Sequence, residues 1–530
     1  MHMHASKKPT PQQLLSISRF PCPVHPQAHT MPETASHVAD DHDDKPHVAV
    51  LANSGLGHVI PLLEFAKRLV VGHGFRVTFL VVTTVDPTPA QDQLLNAPGL
   101  PHDLHVLGLP AVDTASIVPE DCRVLTRICF VVEASLKSLE ATLIELSPKV
   151  LVVDLFCTQA FDVAGKLSIP TYSFFTSSAT MLAFSLYLPT LDREVTGELV
   201  DLPGLVRVPG CPSIRPDDLL DQVKDRKNEE YRWYLYHVSR LPTAAGIFLN
   251  TWEGLEPGAL RALSEDSFYR QVPVPPVHAI GPLVHGDGDT EGLRSTDAEC
   301  LTWLDGQPEE SVVLVSLGSG GTLTREQQVE MAWGLELSQQ RFLWIVRKPT
   351  DASASAAFFN VGSDEEDDLT KYLPQGFQEK TREVGMVVSS WAAQVAILSH
   401  PSIGAFLSHC GWNSSVESLA KGVPMIAWPL YAEQRTNATM LVEDVGVAIR
   451  PSIEGGRKVV GRKEIERVVR AVMRGEEGKR MRRRAREIRD SSVESMTRGG
   501  SSQASLAVVC EDWKTKSRGC EEELCADRAS

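Results

Sequence analysis

A polar cluster follows an apolar run in the second half of the chain, and its residue types suit phosphate binding. Residues 403–409 have the length of a buried strand, the turn Cys410-Gly411 follows, and Asn413 opens a predicted helix. A helix N-terminus presents unpaired N–H groups and the positive end of a dipole, so it favours anions. Asn and Ser are preferred helix caps, and glycine lets the backbone approach an anion closely. The pattern therefore predicts a phosphate site.

The next apolar run, residues 424–430, predicts a strand that ends beside the same site. Glu433 and Gln434 follow its carboxyl end, where open α/β sheets bind ligands, and their side chains suit sugar hydroxyls. Any one of these residues, or Trp391 before them, has an ordinary core or cap role as its simpler explanation. The polar groups placed together at these strand ends are His409, Trp412, Asn413, Ser414, Glu417 and Gln434. Their number favours a binding site.

Two further residues suit acid–base chemistry. His58 stands where a predicted strand, residues 47–52, and its glycine-rich turn meet a helix predicted from Ile60 to about Val71. Asp154 ends another apolar strand, and a carboxylate there is costly to bury unless it has a partner. The alternatives are a helix-start or surface histidine and an aspartate that caps the next helix.

The composition indicates a globular protein with more than one core. The 530 residues exceed a single domain, and the 42% hydrophobic and 23% charged contents are ordinary. A net charge of −16 argues against a nucleic-acid partner. No apolar run is long enough to span a membrane, and the first residues lack the apolar core of a signal peptide. The ten cysteines are scattered, which favours a reducing, cytoplasmic setting.

Alternating strand and helix patterns predict two α/β domains with parallel sheets. The early Pro- and His-rich stretch lacks periodicity, and its irregularly spaced histidines do not indicate a metal site. The basic run 479–489 contains acidic residues, which favours a solvated helix face over a membrane or nucleic-acid site. The predicted segments are a disordered extension (1–45), a first domain (46–283), a linker (284–299), a second domain (300–475), C-terminal helices packing back on the first domain (476–510) and a tail (511–530).

The stretch from Trp391 to Gln434 resembles the signature box of the plant family-1 UDP-sugar glycosyltransferases. Four short matches add to it: SGLGH (54–58), VVDLF (152–156), FFTSSA (174–179) and SLGSGGT (316–322). One departure is that Ala52-Asn53-Ser54 stands where relatives commonly have Pro-Ser-Pro. The resemblance implies the GT-B architecture, an α/β fold of two Rossmann-like domains with a cleft between them. The first domain would bind the acceptor and the second the UDP-sugar.

The resemblance also implies a role for each site residue. His58 would be the catalytic base, and Asp154 would orient it. The residues implied to bind UDP are Ser319, Trp391, Ala392, Gln394, His409, Asn413, Ser414 and Glu417. Those implied to contact the sugar are Thr176, Trp412, Glu433 and Gln434. Glu433 stands where Asp is more frequent in the family, and the final Gln resembles glucose users.

The expected reaction is inverting O-glucosylation of a small phenol by UDP-glucose. A phenol has a pKa of about 10, so it needs a base at neutral pH, and a histidine with a pKa near 6.5 suits that task. Asp154 would hold the imidazole as the aspartate of a catalytic triad does. The helix N-terminus and polar side chains would stabilise departing UDP, so neither a metal nor another cofactor is expected.

Within the family, the closest likeness is to the hydroquinone and monolignol glucosyltransferases, so hydroquinone, phenylpropanoid or flavonoid acceptors are expected. The partners would be these small molecules, and the protein a cytoplasmic monomer without membrane insertion. Three alternatives are a hydrolase or epimerase of UDP-sugars, a non-catalytic UDP-sugar sensor, and an NAD-dependent dehydrogenase. The dehydrogenase is disfavoured because no G-x-G-x-x-G lies in a βα turn.

Overall fold

The computed structural model describes residues 45–85, 89–96, 99–119, 122–285, 295–351, 369–389, 392–453 and 458–529. The predicted extension, apart from Lys45, lies outside the described residues. The same holds for Trp391 and for residues 286–294 of the predicted linker.

Two parallel sheets form the framework. The first has the strand order β3-β2-β1-β4-β5-β6-β7 and the second β10-β9-β8-β11-β12-β13. The strands of the first sheet are β1 His47–Ala52, β2 Arg76–Val81, β3 Leu104–Gly108, β4 Val150–Asp154, β5 Thr171–Phe175, β6 Ile247–Leu249 and β7 Val277–Ala279. Those of the second are β8 Val312–Ser316, β9 Arg341–Val346, β10 Gly385–Ser389, β11 Ile403–Ser408, β12 Met425–Ala427 and β13 Ala448–Ile449. Most strand residues are buried because helices cover both faces.

The helices surround the two sheets. Those of the first domain are α1 Leu56–His73, α2 Pro89–Leu95, α3 Val124–Leu146, α4 Ala160–Lys166, α5 Ala179–Glu194, α6 Glu229–Arg240, α7 Pro257–Glu265 and α8 Ser267–Gln271. The remainder are α9 Ser295–Asp305, α10 Arg325–Ser338, α11 Phe377–Thr381, α12 Gln394–Leu398, α13 Trp412–Ala420, α14 Gln434–Thr439, α15 Arg462–Arg474, α16 Glu476–Met496 and α17 Ser501–Ala529. Helix α1 begins four residues before the predicted Ile60, so His58 lies in its first turn.

The strand order reverses at one point in each sheet. In the first sheet β1 and β4 are neighbours, and in the second β8 and β11 are neighbours. The connections from such a pair run to opposite faces, which leaves a crevice at the carboxyl ends of the strands. His58 and Asp154 lie at the first of these points, and Ser319 and His409 at the second. The topology thus places the predicted site residues at the two crevices.

The end of the chain completes the first domain. Helix α17 packs on β7, and the ring of Trp513 lies 5.8, 5.1 and 6.0 Å from the rings of Phe75, Tyr172 and Phe248. The helix continues to Ala529, past Glu511, at which the sequence predicts the start of a tail, and Leu506, Val509, Cys510 and Trp513 are buried against the first domain.

The basic residues of α16 form ion pairs at the protein surface. Arg484 contacts Glu487 at 3.0 Å, Lys479 contacts Glu476 at 2.7 Å, and Arg486 contacts Glu310. This arrangement agrees with the predicted solvated face. No helix in the described part of the chain has the length and apolar composition needed to cross a bilayer. The monomeric state and the cytoplasmic location stay predictions.

Candidate active site

His58 and Asp154 meet where β1 and β4 end side by side. His58 Nδ1 lies 2.7 Å from Oδ2 of Asp154, and the carboxylate is fully buried. A carboxylate only accepts hydrogen bonds, so Nδ1 of the neutral ring carries the proton and Nε2 is the basic nitrogen. Parallel neighbouring strands bring these residues together although 96 positions separate them. The arrangement is that of a base held in one tautomer.

The other oxygen of Asp154 is held by two donors. Oδ1 accepts from Nδ2 of Asn53 at 2.7 Å and from the backbone N–H of Phe156 at 2.8 Å. The Asn53 amide oxygen also accepts from the N–H of Gly55 at 2.7 Å, which ties the turn before α1 to the same side chain. Asn53 is fully buried. Asparagine at this position therefore anchors both the carboxylate and the turn that carries His58.

Charges around His58 change its basicity. Burial alone would lower the pKa of the imidazole, but the charge and hydrogen bond of Asp154, together with the charge of Glu433, raise it above 6.5. The expected value near 6.5 is thereby corrected upward. The ring of Phe156 covers the imidazole at a centroid distance of 5.2 Å.

Thr176 contacts the base in this structure. It follows β5, the neighbour of β4, and its Oγ1 lies 2.9 Å from His58 Nδ1. Its hydroxyl and the Asp154 carboxylate thus approach the same ring nitrogen. The sugar contact expected of Thr176 stays a prediction, and the observed neighbour of its hydroxyl is the base.

Two glycines pack directly against the ring of His409, which follows β11. A Cβ added to Gly318 or Gly411 would stand 2.4 or 2.3 Å from the imidazole. Burial, assisted by the charge of Arg347, lowers the pKa of His409 to about 4, so the ring is neutral. Among the described residues its buried Nδ1 finds no hydrogen-bond partner. A bound ligand could supply that partner.

A hydrogen-bonded network joins three residues predicted to bind UDP. Gln394 Nε2 donates to Ser414 Oγ at 2.9 Å and to Glu417 Oε2 at 2.6 Å. Its Oε1 accepts from Ser316 at the end of β8 at 3.0 Å. Burial raises the pKa of Glu417 to about 7, although the Gln394 hydrogen bond opposes this. Ala392 is buried just before α12, and Ser319 is partly buried in the turn after β8.

The turn after β12 presents the residues predicted to bind the sugar. Gln434 Oε1 accepts from the N–H groups of Leu430 and Tyr431 at 2.9 and 3.0 Å, which fixes the turn. Glu433 accepts from Asn437 at 3.3 Å, and burial raises its pKa. The charge of Glu433 also raises the pKa of His58, so this turn interacts electrostatically with the base.

Two predicted ligand residues make other contacts. The indole of Trp412 is buried in the core and donates to the backbone oxygen of Asn250 at 2.9 Å. Because the indole is occupied in this way, the backbone of Trp412 is the part left for the expected sugar contact, which stays a prediction. Asn413 donates across the cleft to the carbonyl of Gly57 at 2.9 Å, so it links the helix N-terminus to the loop of the base.

Several residues of the site were not singled out from the sequence. Glu256 is buried and accepts from the N–H groups of Ala179 and Thr180, both at 2.9 Å, so it fixes the start of α5 after the Thr176 loop. Nothing in its sequence surroundings indicates this contact. Phe156 directly follows the Asp154-Leu155 pair, so its proximity to the base could have been inferred from the end of the strand.

Comparison with known proteins assigns this architecture to a family. The sequence profile of the family described as UDP-glucoronosyl and UDP-glucosyl transferase matches residues 268–494. Anthocyanidin 3-O-glucosyltransferase 5 of Manihot esculenta is 43% identical over 476 residues, which cover 89% of this chain and 96% of that protein. Hydroquinone glucosyltransferase of Rauvolfia serpentina is 43% identical over 475 residues, which cover 89% and 98%.

Solved structures show the same fold. The crystal structure of TcCGT1 in complex with UDP matches with a TM-score of 0.82 at 43% identity and covers 89% of this chain and 99% of that one. Phytolacca americana UGT2, complexed with UDP-2fluoro-glucose and pterostilbene, matches with a TM-score of 0.78 at 41% identity, covering 88% and 99%. The two Rossmann-like domains form the GT-B architecture, as the sequence predicts. This chain is a glycosyltransferase of the plant family-1 UDP-glycosyltransferases.

Proposed function

We propose that the protein transfers glucose from UDP-glucose to the hydroxyl group of a small phenolic acceptor. The observation that carries this proposal is the pairing of His58 with buried Asp154 at the crevice of the first sheet. A binding protein without catalysis has no need of a tautomer-fixed base there. The proposal extends the family assignment to one donor and one class of acceptor.

The base would act through Nε2. Asp154 accepts from Nδ1–H, so Nε2 of the neutral ring takes the proton of the phenol as its oxygen attacks the anomeric carbon. The carboxylate then stabilises the imidazolium. A single displacement by the acceptor breaks the bond from the anomeric carbon to the phosphate oxygen. It therefore inverts the anomeric centre and yields a β-glucoside.

The leaving group would be stabilised by the second domain. Negative charge grows on the β-phosphate as the bond breaks, and the N-terminus of α13 presents N–H groups suited to an anion. The polar residues expected around the diphosphate are Ser319, His409, Asn413 and Ser414. We propose that these groups suffice for the reaction without a metal ion or another cofactor.

The names of the relatives support the substrate classes. The two curated relatives described above are named as glucosyltransferases of an anthocyanidin and of hydroquinone. The Phytolacca americana structure holds a fluorinated UDP-glucose and the phenolic pterostilbene. The final Gln434 of the signature box agrees with glucose as the donor sugar. Hydroquinone, phenylpropanoid alcohols and flavonoids are therefore the first acceptors to test.

The test is release of UDP from UDP-glucose with a panel of small phenols, comparing wild type with His58→Ala. We expect acceptor-dependent release that falls by about two to four orders of magnitude in the variant, the contribution typical of a general base. Nuclear magnetic resonance of the product should show a β-linkage. Titration with a chelating agent should leave the rate unchanged.

Each alternative predicts a different result. Release of UDP without any acceptor would indicate a hydrolase. Recovery of a UDP-sugar other than UDP-glucose would indicate an epimerase. Tight binding of UDP-glucose without turnover on any phenol would support the sensor. An α-linked product, or full activity in His58→Ala, would contradict the proposed mechanism.

A further inference from the structure

A buried carboxylate of the first domain bonds to two elements of the second. Asp218 lies in a short turn, Pro216–Asp218, and is buried. Its Oδ1 accepts from Arg450 at 2.8 Å, just after β13, and its Oδ2 accepts from Thr439 of α14 at 3.1 Å. Arg215 of its own segment donates to Oδ2 at 2.8 Å. One side chain therefore joins the two domains at β13 and α14.

The same segment also contacts the residues on either side of Glu433 and Gln434, in the turn after β12. The carbonyl of Asp218 accepts from Thr436 Oγ1 at 2.7 Å. The N–H of Asp221 donates to the carbonyl of Ala432 at 3.1 Å, and its carboxylate accepts from Arg435 at 3.0 Å. These contacts lie immediately before and after Glu433 and Gln434 along the chain. We define residues 215–224 as the interdomain clasp.

Asp218 is ionised at neutral pH, and its contacts with two arginines hold the clasp in place. Burial of Asp218 opposes its ionisation, but the guanidinium groups of Arg450 and Arg215 outweigh burial and hold the pKa of the carboxyl below its usual value. The ionised group then has donors on both oxygens. A buried carboxylate satisfied in this way fixes geometry, because any displacement would leave charges without partners.

The nucleotide residues are held differently. Gln394 bonds to Ser414, Glu417 and Ser316, all of which belong to the second domain. The network around the predicted ribose site therefore does not need the clasp, whereas the turn that carries Glu433 and Gln434 is contacted by it on both sides.

We propose that Asp218 is a positioning residue that fixes the sugar subsite from the opposite domain, so that recognition of glucose depends on the clasp and recognition of UDP does not. The inference rests on the proposed function, because it takes Glu433 and Gln434 as the residues that bind glucose. Asp218 acts through these two residues and need not touch the substrate.

The test compares the dissociation constants of UDP and UDP-glucose by calorimetry in Asp218→Asn, Thr436→Val and Thr439→Val. We expect UDP-glucose to bind about tenfold more weakly, the effect of losing one hydrogen bond to the sugar, and UDP to change by less than about twofold. The threonine variants remove single hydroxyl groups at nearly constant shape. They therefore test the contacts of Asp218 even if Asp218→Asn does not fold. Circular dichroism checks the fold of each variant.

Glu443→Gln is the matched control. Glu443 bonds to Arg215 at 2.8 Å across the same interface, but both side chains are about half exposed. We expect both dissociation constants to stay within about twofold, as for other exposed ion pairs. The proposed role of Asp218 would be overturned if the Asp218, Thr436 and Thr439 variants bound UDP and UDP-glucose equally more weakly. It would also be overturned if these variants folded and bound both ligands as wild type does.

Gln434→Ala separates this inference from the proposed function. If Gln434→Ala weakens the binding of UDP-glucose and the clasp variants do not, the proposed sugar site is supported and the proposed role of Asp218 is wrong. If Gln434→Ala leaves UDP-glucose binding unchanged, or wild type does not bind UDP-glucose, the proposed donor site is wrong and the inference fails with it.

Discussion

At the scale of single residues, the candidate base depends on a neighbour that stands outside the dyad. Asn53 bonds to Asp154 with its amide nitrogen and to Gly55 with its amide oxygen, both at 2.7 Å. It occupies the middle position of the tripeptide that is commonly Pro-Ser-Pro in relatives. We infer that Asn53 fastens the loop by side-chain hydrogen bonds, where prolines would restrict the backbone.

Asn53→Leu should lower kcat by about tenfold or more, because the variant keeps the branched side chain of four heavy atoms and removes both hydrogen bonds. The wild-type rate should rise with pH through a pKa above 6.5, since His58 must be neutral and its pKa is raised. Loss of the Asn53 donor leaves more of the negative charge of Asp154 uncompensated, so the carboxylate attracts the imidazolium of His58 more strongly. The rising limb of the variant should therefore move to higher pH.

The measurement is kcat against pH for both proteins, with the KM of UDP-glucose as the control. That KM should change much less than kcat, because the side chain of Asn53 bonds to Asp154 and Gly55 and to no member of the Gln394 network. An unaltered pH profile in a folded variant would show that Asn53 does not act through the base.

At the scale of elements, the pair β11 and α13 carries residues of the proposed nucleotide site. The strand ends at Ser408, Cys410 takes a positive φ of 63° and α13 begins two residues later. The helix delivers Ser414 and Glu417 to Gln394, which opens the neighbouring helix α12. If Glu417 accepts from the ribose hydroxyls as proposed, its pKa near neutrality makes donor binding depend on pH.

Binding of UDP-glucose should strengthen as pH rises through about 7. Burial raises the pKa of Glu417 to about 7, and the ionised carboxylate accepts from ribose hydroxyls better than the acid does. Binding should lower this pKa, so protons are released on binding below pH 7. Each pH unit below the free-protein pKa should weaken binding by up to about tenfold.

Calorimetry of UDP-glucose in two buffers of different ionisation enthalpy measures the proton release. UDP-glucose is a better probe than UDP, because its diphosphate is esterified at both ends and therefore does not itself titrate near pH 7. Glu417→Gln should bind more weakly and lose this part of the pH dependence. The same pH dependence in the variant would assign the effect to another group.

At the scale of the whole molecule, distant segments complete both domains. The last helix, α17, inserts Trp513 between aromatic rings of the first domain, and the clasp of the first domain holds the sugar turn of the second. The indole of Trp412 adds a hydrogen bond to Asn250 across the same boundary. The position of the base relative to the second domain therefore depends on contacts between segments that are far apart in the sequence.

Trp513→Ala should destabilise the protein by about 3–5 kcal/mol, because the side chain is 3% exposed and packed among three aromatic rings. Trp513→Phe should cost much less, since the indole N–H is buried without a partner among the described residues. Val508→Ala on the same helix is the control, because Val508 is 69% exposed.

Denaturant unfolding followed by circular dichroism measures these differences. The control should stay within about 0.5 kcal/mol of wild type. A Trp513→Ala variant as stable as Val508→Ala would show that α17 contributes little to the first domain.

The amino-acid sequence alone determined the fold class and the family. Strand and helix periods predicted parallel sheets, and the stretch from Trp391 to Gln434 identified a UDP-sugar enzyme. The sequence also placed Asp154 at the end of a strand and His58 just after a strand and its glycine-rich turn. These features are local, because hydrophobic period and turn residues act over a few positions.

Only the tertiary structure decided which partners each residue has. Trp412 points into the core toward Asn250, Thr176 lies against His58, and Asp218 reaches α14 and β13. These contacts join positions 118 to 232 residues apart. The physical reason is that a side chain's direction and burial follow from the packing of two domains, which no short sequence pattern encodes.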